Sequence, residues 1–154
     1  FMNKYTGYIK VSAGIIKIVC SEEYVISVGF SDTVKENDKG SKVLDETLKQ
    51  MNEYFSGKRK KFDLPLYFEG TEFQKNVWNE LRKIPYGVTV SYKDIAAGIK
   101  NEKAVRAVGN ANNKNKIMII VPCHRVIGKN GKLVGFAGGL DKKEFLLEHE
   151  KKFV

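Results

Sequence analysis

The chain has 154 residues, 42% hydrophobic and 29% charged, enough for one ordinary domain or two small ones with a buried core, and not the composition of a disordered chain. Two cysteines, Cys20 and Cys123, exclude a disulfide scaffold and fit a reduced, cytosolic setting. The net charge is +9, and no apolar run approaches the ~18 residues of a membrane span, so a polyanionic partner is expected rather than a membrane-embedded one.

Phe1 ahead of Met2 reads as an added residue, and no long apolar stretch follows it, so no secretory signal is expected. Residues 5–11, 15–20 and 24–30 alternate or are rich in β-branched and aromatic side chains, which predicts three strands, the last two joined by a short connection at Ser21-Glu22-Glu23. Residues 31–40 read as a polar loop. Leu44, Leu48, Met51 and Phe55 then recur at helical spacing behind Ser41, a candidate N-cap, and Gly57 ends that helix. Residues 57–70 read as an extended linker, with the domain boundary between 66 and 67.

In the second half Thr71 is a candidate cap for a helix with Phe73, Val77, Leu81 and Ile84 on one face, and Pro85-Tyr86-Gly87 is a turn. Ser91 is a candidate cap for a helix over 92–99, followed by a second helix over 102–112. Two short helices in a basic region read equally as a helix-turn-helix or as an ordinary helical hairpin. Residues 110–116 are a polar loop, 117–121 a buried apolar segment or strand, 128–131 a turn, 133–136 a short strand, and 142–151 the last helix. The charge follows this division. Residues 1–70 carry 11 basic and 10 acidic side chains; residues 71–154 carry 16 and 8. Taken alone, that excess suits nucleic acid, an anionic surface or a solvated Lys-rich face.

Cys123 is the residue of most chemical interest, since it follows the apolar run and precedes His124 and Arg125. A neighbouring histidine or positive field lowers a thiol pKa, but a free cysteine is also an ordinary small core residue. Cys20, within a strand, reads as core. No CxxC or HxxxH spacing and no phosphate-binding loop is present, so neither a metal nor another cofactor is expected.

At Val121-Pro-Cys-His-Arg-Val126 the chain resembles a known family. The stretch IIVPCHRVIGKNGKLVGFAGGLDKKEFLLEHE, residues 119–150, is similar to the active-site region of the 6-O-alkylguanine–DNA alkyltransferases. GTEFQKNVWNELRKIPYGVTVSYKDIA, residues 70–96, resembles their approach to a helix-turn-helix. The resemblance implies a ribonuclease-H-like α/β domain over 1–66 and a mainly α winged helix-turn-helix domain over 67–154. It implies a monomer that binds double-stranded DNA through the minor groove, flips out an alkylated guanine and moves the alkyl group irreversibly from its 6-oxygen to Cys123.

By the same resemblance His124 is the base and Glu150 its orienting carboxylate. Tyr92 is a pocket donor that also crowds the target phosphate, and Asn115 a hinge tying the loop to the active-site turn. Val126, Phe136, Ala137 and Gly138 border the base pocket. Arg106 enters the base stack, with Ala104, Ala107 and Gly109 on the minor-groove helix and Arg125 beside the DNA. Thiolate chemistry and triad logic are consistent with these roles. An activated Cys123 would react with thiol reagents below the ordinary thiol pKa of about 8.5. The implied setting is cytoplasmic, on the nucleoid in a prokaryote. Phe136 and Lys116 depart from the family pattern, where Tyr and Pro are common. A damage sensor without transfer activity and a cysteine hydrolase are the competing readings. The presence of Cys123 disfavours the first, and the basic helical region disfavours the second.

Overall fold

A computed structural model describes residues 2–154, so the reading of Phe1 lies outside the described residues. The chain divides into two compact units between Phe68 and Glu69, two residues beyond the boundary expected from sequence.

The first unit is an antiparallel meander, β1 (Tyr5–Val11), β2 (Gly14–Cys20) and β3 (Val25–Ser31), with helix α1 (Lys42–Phe55) packed on it. Period-2 alternation sets its register. Ile16, Ile18 and Cys20 point inward on β2, Lys17 points out, and Ile16 pairs with Ile9 on one side and Phe30 on the other. Ser41 caps α1 by accepting from Leu44 N at 3.1 Å. The helix buries Leu44, Met51 and Tyr54, each such side chain contributing roughly 1.5–3 kcal/mol. Gly7 makes the close approach possible, because a Cβ there would stand 3.1 Å from Leu44 and Leu48.

Part of the supposed linker belongs to this unit. Val25 N donates to Pro65 O at 2.8 Å and Tyr67 N to Val25 O at 2.9 Å, so residues 65–67 lie along the start of β3. Gln50 holds Asp63 through both its backbone N–H and its carbonyl, and Leu64 is buried. Open backbone groups at the sheet edge draw the segment in, a demand that composition does not reveal.

The second unit is mainly helical: α2 (Glu72–Leu81), the two-residue strand β4 (Val90–Ser91), α3 (Tyr92–Gly98), α4 (Val105–Asn113), β5 (Val126–Ile127) and α5 (Leu140–Lys152). Thr71 and Gln74 form a capping box on α2, and Ser91 and Asp94 one on α3. Helices α2, α3 and α4 pack on one another, and Trp78 Nε1 donates to Ala111 O at 2.9 Å. Strands β4 and β5 pair in parallel and bring the end of the α2–α3 connection beside the residues that follow Cys123.

Two expected elements differ, and one with two readings is decided between them. The second helix begins at Val105 rather than 102, because the chain turns through Lys100 at φ 59° and Ala104 N bonds back to Asn101 O. Residues 117–121 form no strand and take the other reading, a buried segment, here a tight loop with Ile119 at φ 74°. Residues 133–136 form no strand either. Gly135 takes φ +54°, which breaks the two-residue period, and no neighbouring strand offers a ladder.

Candidate active site

The loop that carries Cys123 is held by one side chain. Asn115 accepts from Ile117 N at 3.0 Å and donates from Nδ2 to Val121 O at 2.9 Å, clamping both ends of the tight loop. A β-branched residue in the left-handed region is strained, and the clamp helps keep Ile119 there. The chain then enters a single 3-10 turn, Cys123–Arg125, against which α5 packs.

Within that turn all three side chains point inward. Cys123 is 3% exposed and His124 fully buried. His124 Nε2 lies 2.7 Å from Glu150 Oε2. Arg125 donates from Nε to Glu150 Oε1 at 2.8 Å, from Nη2 to Glu150 Oε2 at 2.9 Å, and from Nη1 to Ile84 O at 2.8 Å, with its guanidinium over the Tyr86 ring. Gly87 N also donates to Glu150 Oε1. Burial would raise the Glu150 carboxyl pKa, but the hydrogen bonds from His124 and Arg125 outweigh it and hold the group well below the usual carboxylate range.

An ionised Glu150 fixes the histidine tautomer. Nε2 carries the proton and donates to the carboxylate, which leaves a lone pair on Nδ1. Nδ1 is buried and makes no hydrogen bond to any described residue. Burial lowers the His124 pKa; Glu150 opposes that shift, and the charges of Arg125 and Lys143 add to it, so the ring rests neutral with a lone pair on Nδ1.

The thiol runs against the sequence expectation. Burial pushes Cys123 up to about 11, and Asn115 and Lys143 recover only part of that shift. The resting group is a protonated thiol rather than an activated thiolate, because desolvation outweighs the nearby positive charge. Cys20 is likewise raised to about 11 by burial, with Thr47 opposing, as befits a core thiol.

Tyr92, the first residue of α3, is half-buried, and its hydroxyl donates to Val134 O at 3.2 Å. Burial first and then the charge of Cys123 raise its pKa. Residues 132–139 form an extended strap over this side. On it Phe136 and Gly138 are partly covered and Ala137 is exposed. A side chain at 135 would be strained at φ +54° and crowded, its Cβ 3.1 Å from the Asn113 amide and 3.2 Å from the Tyr92 hydroxyl.

Lys143 was missed by sequence reasoning. It is fully buried on α5 and donates from Nζ to Val126 O at 2.5 Å and Val134 O at 2.7 Å. Burial brings its pKa down to about 8, opposed by the charge Cys123 carries when ionised. It ties the strap to the residue after the cysteine turn and supplies a positive charge near the thiol. A lysine in an amphipathic helix reads as solvated; a clue lay in the i,i+3 spacing of Lys143 with Leu146, which is also fully buried.

Arg106 is exposed in the first turn of α4, as is Ala107, while Gly109 on the same helix and Ala104, its N-cap residue, are partly covered. Arg125 corrects an expectation. It is 6% exposed and its guanidinium is committed to Glu150 and Ile84, so it is internal rather than beside a DNA backbone. An ionised Glu150 buried in the unit requires a counter-charge, which Arg125 supplies.

Fold and site together define a class: a two-unit protein in which a buried, protonated thiol shares one turn with a neutral histidine that a carboxylate orients. A profile described as the DNA binding domain of 6-O-methylguanine DNA methyltransferase matches residues 72–152, and one described as its ribonuclease-like domain matches residues 4–68. A methylated-DNA–protein-cysteine methyltransferase of Methanosarcina acetivorans is 63% identical over 105 residues, covering 68% of this chain and 67% of that protein. The constitutive one of Bacillus subtilis is 51% identical over 126 residues, covering 80% of this chain and 76% of the relative. The crystal structure of Mycobacterium tuberculosis O6-methylguanine methyltransferase superposes with a TM-score of 0.88 at 38% identity, covering 99% of this chain and 95% of that one. That organism's OGT in complex with DNA gives 0.87 at 39%, covering 97% and 94%. The chain belongs to the 6-O-methylguanine DNA methyltransferase family, whose function is DNA repair by alkyl transfer to a cysteine of the protein.

Proposed function

We propose that Cys123 is the alkyl acceptor and that the substrate is 6-O-alkylguanine in double-stranded DNA. The observation that carries this reading is the buried Cys123 thiol in one turn with a His124 whose Nε2 is bound to Glu150 and whose Nδ1 lone pair is unused. The thiol proton passes to Nδ1 through a bridging water. Sulfur attacks the alkyl carbon, the bond from that carbon to the guanine 6-oxygen breaks, and its electron pair passes into the base. Tyr92 supplies a proton to the departing guanine. Glu150 stabilises the imidazolium that forms, in the manner of a triad carboxylate. The thioether at Cys123 is stable, so each molecule acts once.

In this reading the first unit is a ribonuclease-H-like scaffold and the second a winged helix-turn-helix. Helix α4 lies in the minor groove, where its small residues Ala104, Ala107 and Gly109 permit close approach. Arg106, a planar cation on an exposed turn, takes the place of the flipped base. The cost of flipping is a few kcal/mol and smaller for a damaged pair. Val126, Phe136, Ala137 and Gly138 border the base pocket, and Asn115 holds the turn in place. With Phe136 in place of a tyrosine, that wall offers stacking and shape but no hydroxyl. The protein acts as a monomer in the cytoplasm, on chromosomal DNA.

Incubation with a duplex carrying one 6-O-methylguanine should add one methyl group to Cys123, seen by intact-mass analysis and peptide mapping. Cys123→Ser should abolish the adduct and keep DNA binding. Folded protein that binds the lesion and leaves the methyl group on guanine would instead be a damage sensor.

A further inference from the structure

Asn112 carries two buried polar atoms with no well-formed hydrogen bond. It is 1% exposed, and neither Nδ2 nor Oδ1 makes a well-formed hydrogen bond with any described residue. Leaving such groups unpaired costs folding stability, so their retention calls for a use. Their position says which. The Tyr92 ring lies 3.9 Å from where a Cβ on Gly109 would stand, and Asn112 follows three residues later on the same face of α4. Asn112 therefore faces Tyr92, where it favours the ionised phenol against the opposing effects of burial and of Cys123.

The phenol proton is meanwhile directed to Val134 O at 3.2 Å, a carbonyl that Lys143 Nζ also holds at 2.7 Å. When Tyr92 gives that proton to something else, Val134 O keeps Lys143. The proton is thus releasable without leaving the carbonyl unpaired.

We infer that Asn112 is a positioning residue for alkyl transfer, its Nδ2 donating to the Tyr92 oxygen so that the phenol proton turns to the departing guanine and the remaining phenolate is held. The inference rests on the alkyltransferase reading above. As the bond from sulfur to the alkyl carbon forms and the bond from that carbon to oxygen breaks, the electron pair moves into the guanine. The Tyr92 proton follows it onto the base. Asn112 Nδ2 faces the oxygen charge left behind. His124 holds the former thiol proton and releases it to solvent, from which Tyr92 is reprotonated.

Asn112→Leu removes two poorly paired buried polar atoms at similar volume, so the melting temperature should hold or rise. Methyl transfer from a duplex carrying one 6-O-methylguanine should slow about 10-fold in single turnover. Ionisation of Tyr92, read by ultraviolet difference titration against Tyr92→Phe, should move to higher pH. The slowing should vanish when Asn112→Leu is combined with Tyr92→Phe, because both act through one oxygen. Asn112→Ala provides the same test if the leucine variant does not fold. Equal slowing in the Tyr92→Phe background, or an unmoved Tyr92 titration, would overturn the inference. Failure of the wider reading looks different: wild-type protein would gain no methyl group, while the Tyr92 titration would still decide whether Asn112 acts on that phenol.

Discussion

At the scale of single residues, the site is built around a thiol that burial keeps protonated. Cys123 sits beside Asn115, Lys143 and the backbone of its own turn, all of which favour the anion, and burial still outweighs them. Alkylation of the free protein by iodoacetamide should therefore keep rising with pH through 9 and toward 11, with no plateau near neutrality; a plateau below about 8.5 would contradict the buried-thiol geometry. In the proposed reaction it is the base that is prepared. Arg125 neutralises Glu150, so His124 is oriented by the carboxylate without being permanently protonated by it. Cys123, His124 and Glu150 were legible in the sequence through the family resemblance. Lys143 and Asn112 were not, because each looks like a solvated residue until the burial of its helix face is known.

At the scale of elements, the buried loop over 117–121 matters most. Its apolar run reads as a buried segment or a strand, and Asn115 decides for the first by taking backbone groups a strand would have offered to a neighbour. Asn115→Ala would leave the Ile117 N–H and the Val121 carbonyl unpaired in the interior, at a cost on the order of 2–4 kcal/mol. Thermal denaturation should show that loss, and alkyl transfer should fall with it as the cysteine turn loosens. A variant as stable as the wild type would show that the loop is held by packing alone. The helical caps were readable because Thr71-x-x-Gln74 and Ser91-x-x-Asp94 close their hydrogen bonds within four residues. The strap over 132–139 was not, since its position depends on Lys143 and Tyr92, which are distant in sequence.

At the scale of the whole molecule, two properties follow from charge. His124 and Glu150 both have folded-state pKa values below their ordinary ones. A depressed pKa contributes stability that is complete above the unfolded value and is lost as pH falls. The melting temperature should therefore begin to drop below about 6.5, as unfolded histidine gains protons that His124 refuses, and drop further below about 4.5 through Glu150. Calorimetry across pH 3–8, set against Glu150→Gln, checks the assignment: the variant should be less stable at neutral pH and lose the lower step. A profile unchanged by that substitution would place acid sensitivity elsewhere. The second property is the basic excess in residues 71–154, 16 basic against 8 acidic side chains. For the proposed DNA complex, the logarithm of the affinity for undamaged duplex should fall steeply and linearly with the logarithm of salt concentration, with little dependence on sequence. Titration at several salt concentrations measures it, and a flat response would remove the backbone-contact role assigned to this half.

The division between sequence and structure has a physical basis. Strand alternation, helix periodicity, capping boxes, the charge asymmetry and the Pro-Cys-His-Arg-Val motif are local, so their causes lie within a few residues and can be read along the chain. Arg125 shows where that stops. One residue from His124, it looked like a DNA contact, and it proved to be the internal counter-charge of a carboxylate 25 positions away. The resting state of Cys123, the docking of residues 65–67 on β3 and the poorly paired amide of Asn112 are of the same kind. Each depends on which groups are removed from water and on what distant residue meets them there, and desolvation is a property of the folded chain rather than of any segment of it.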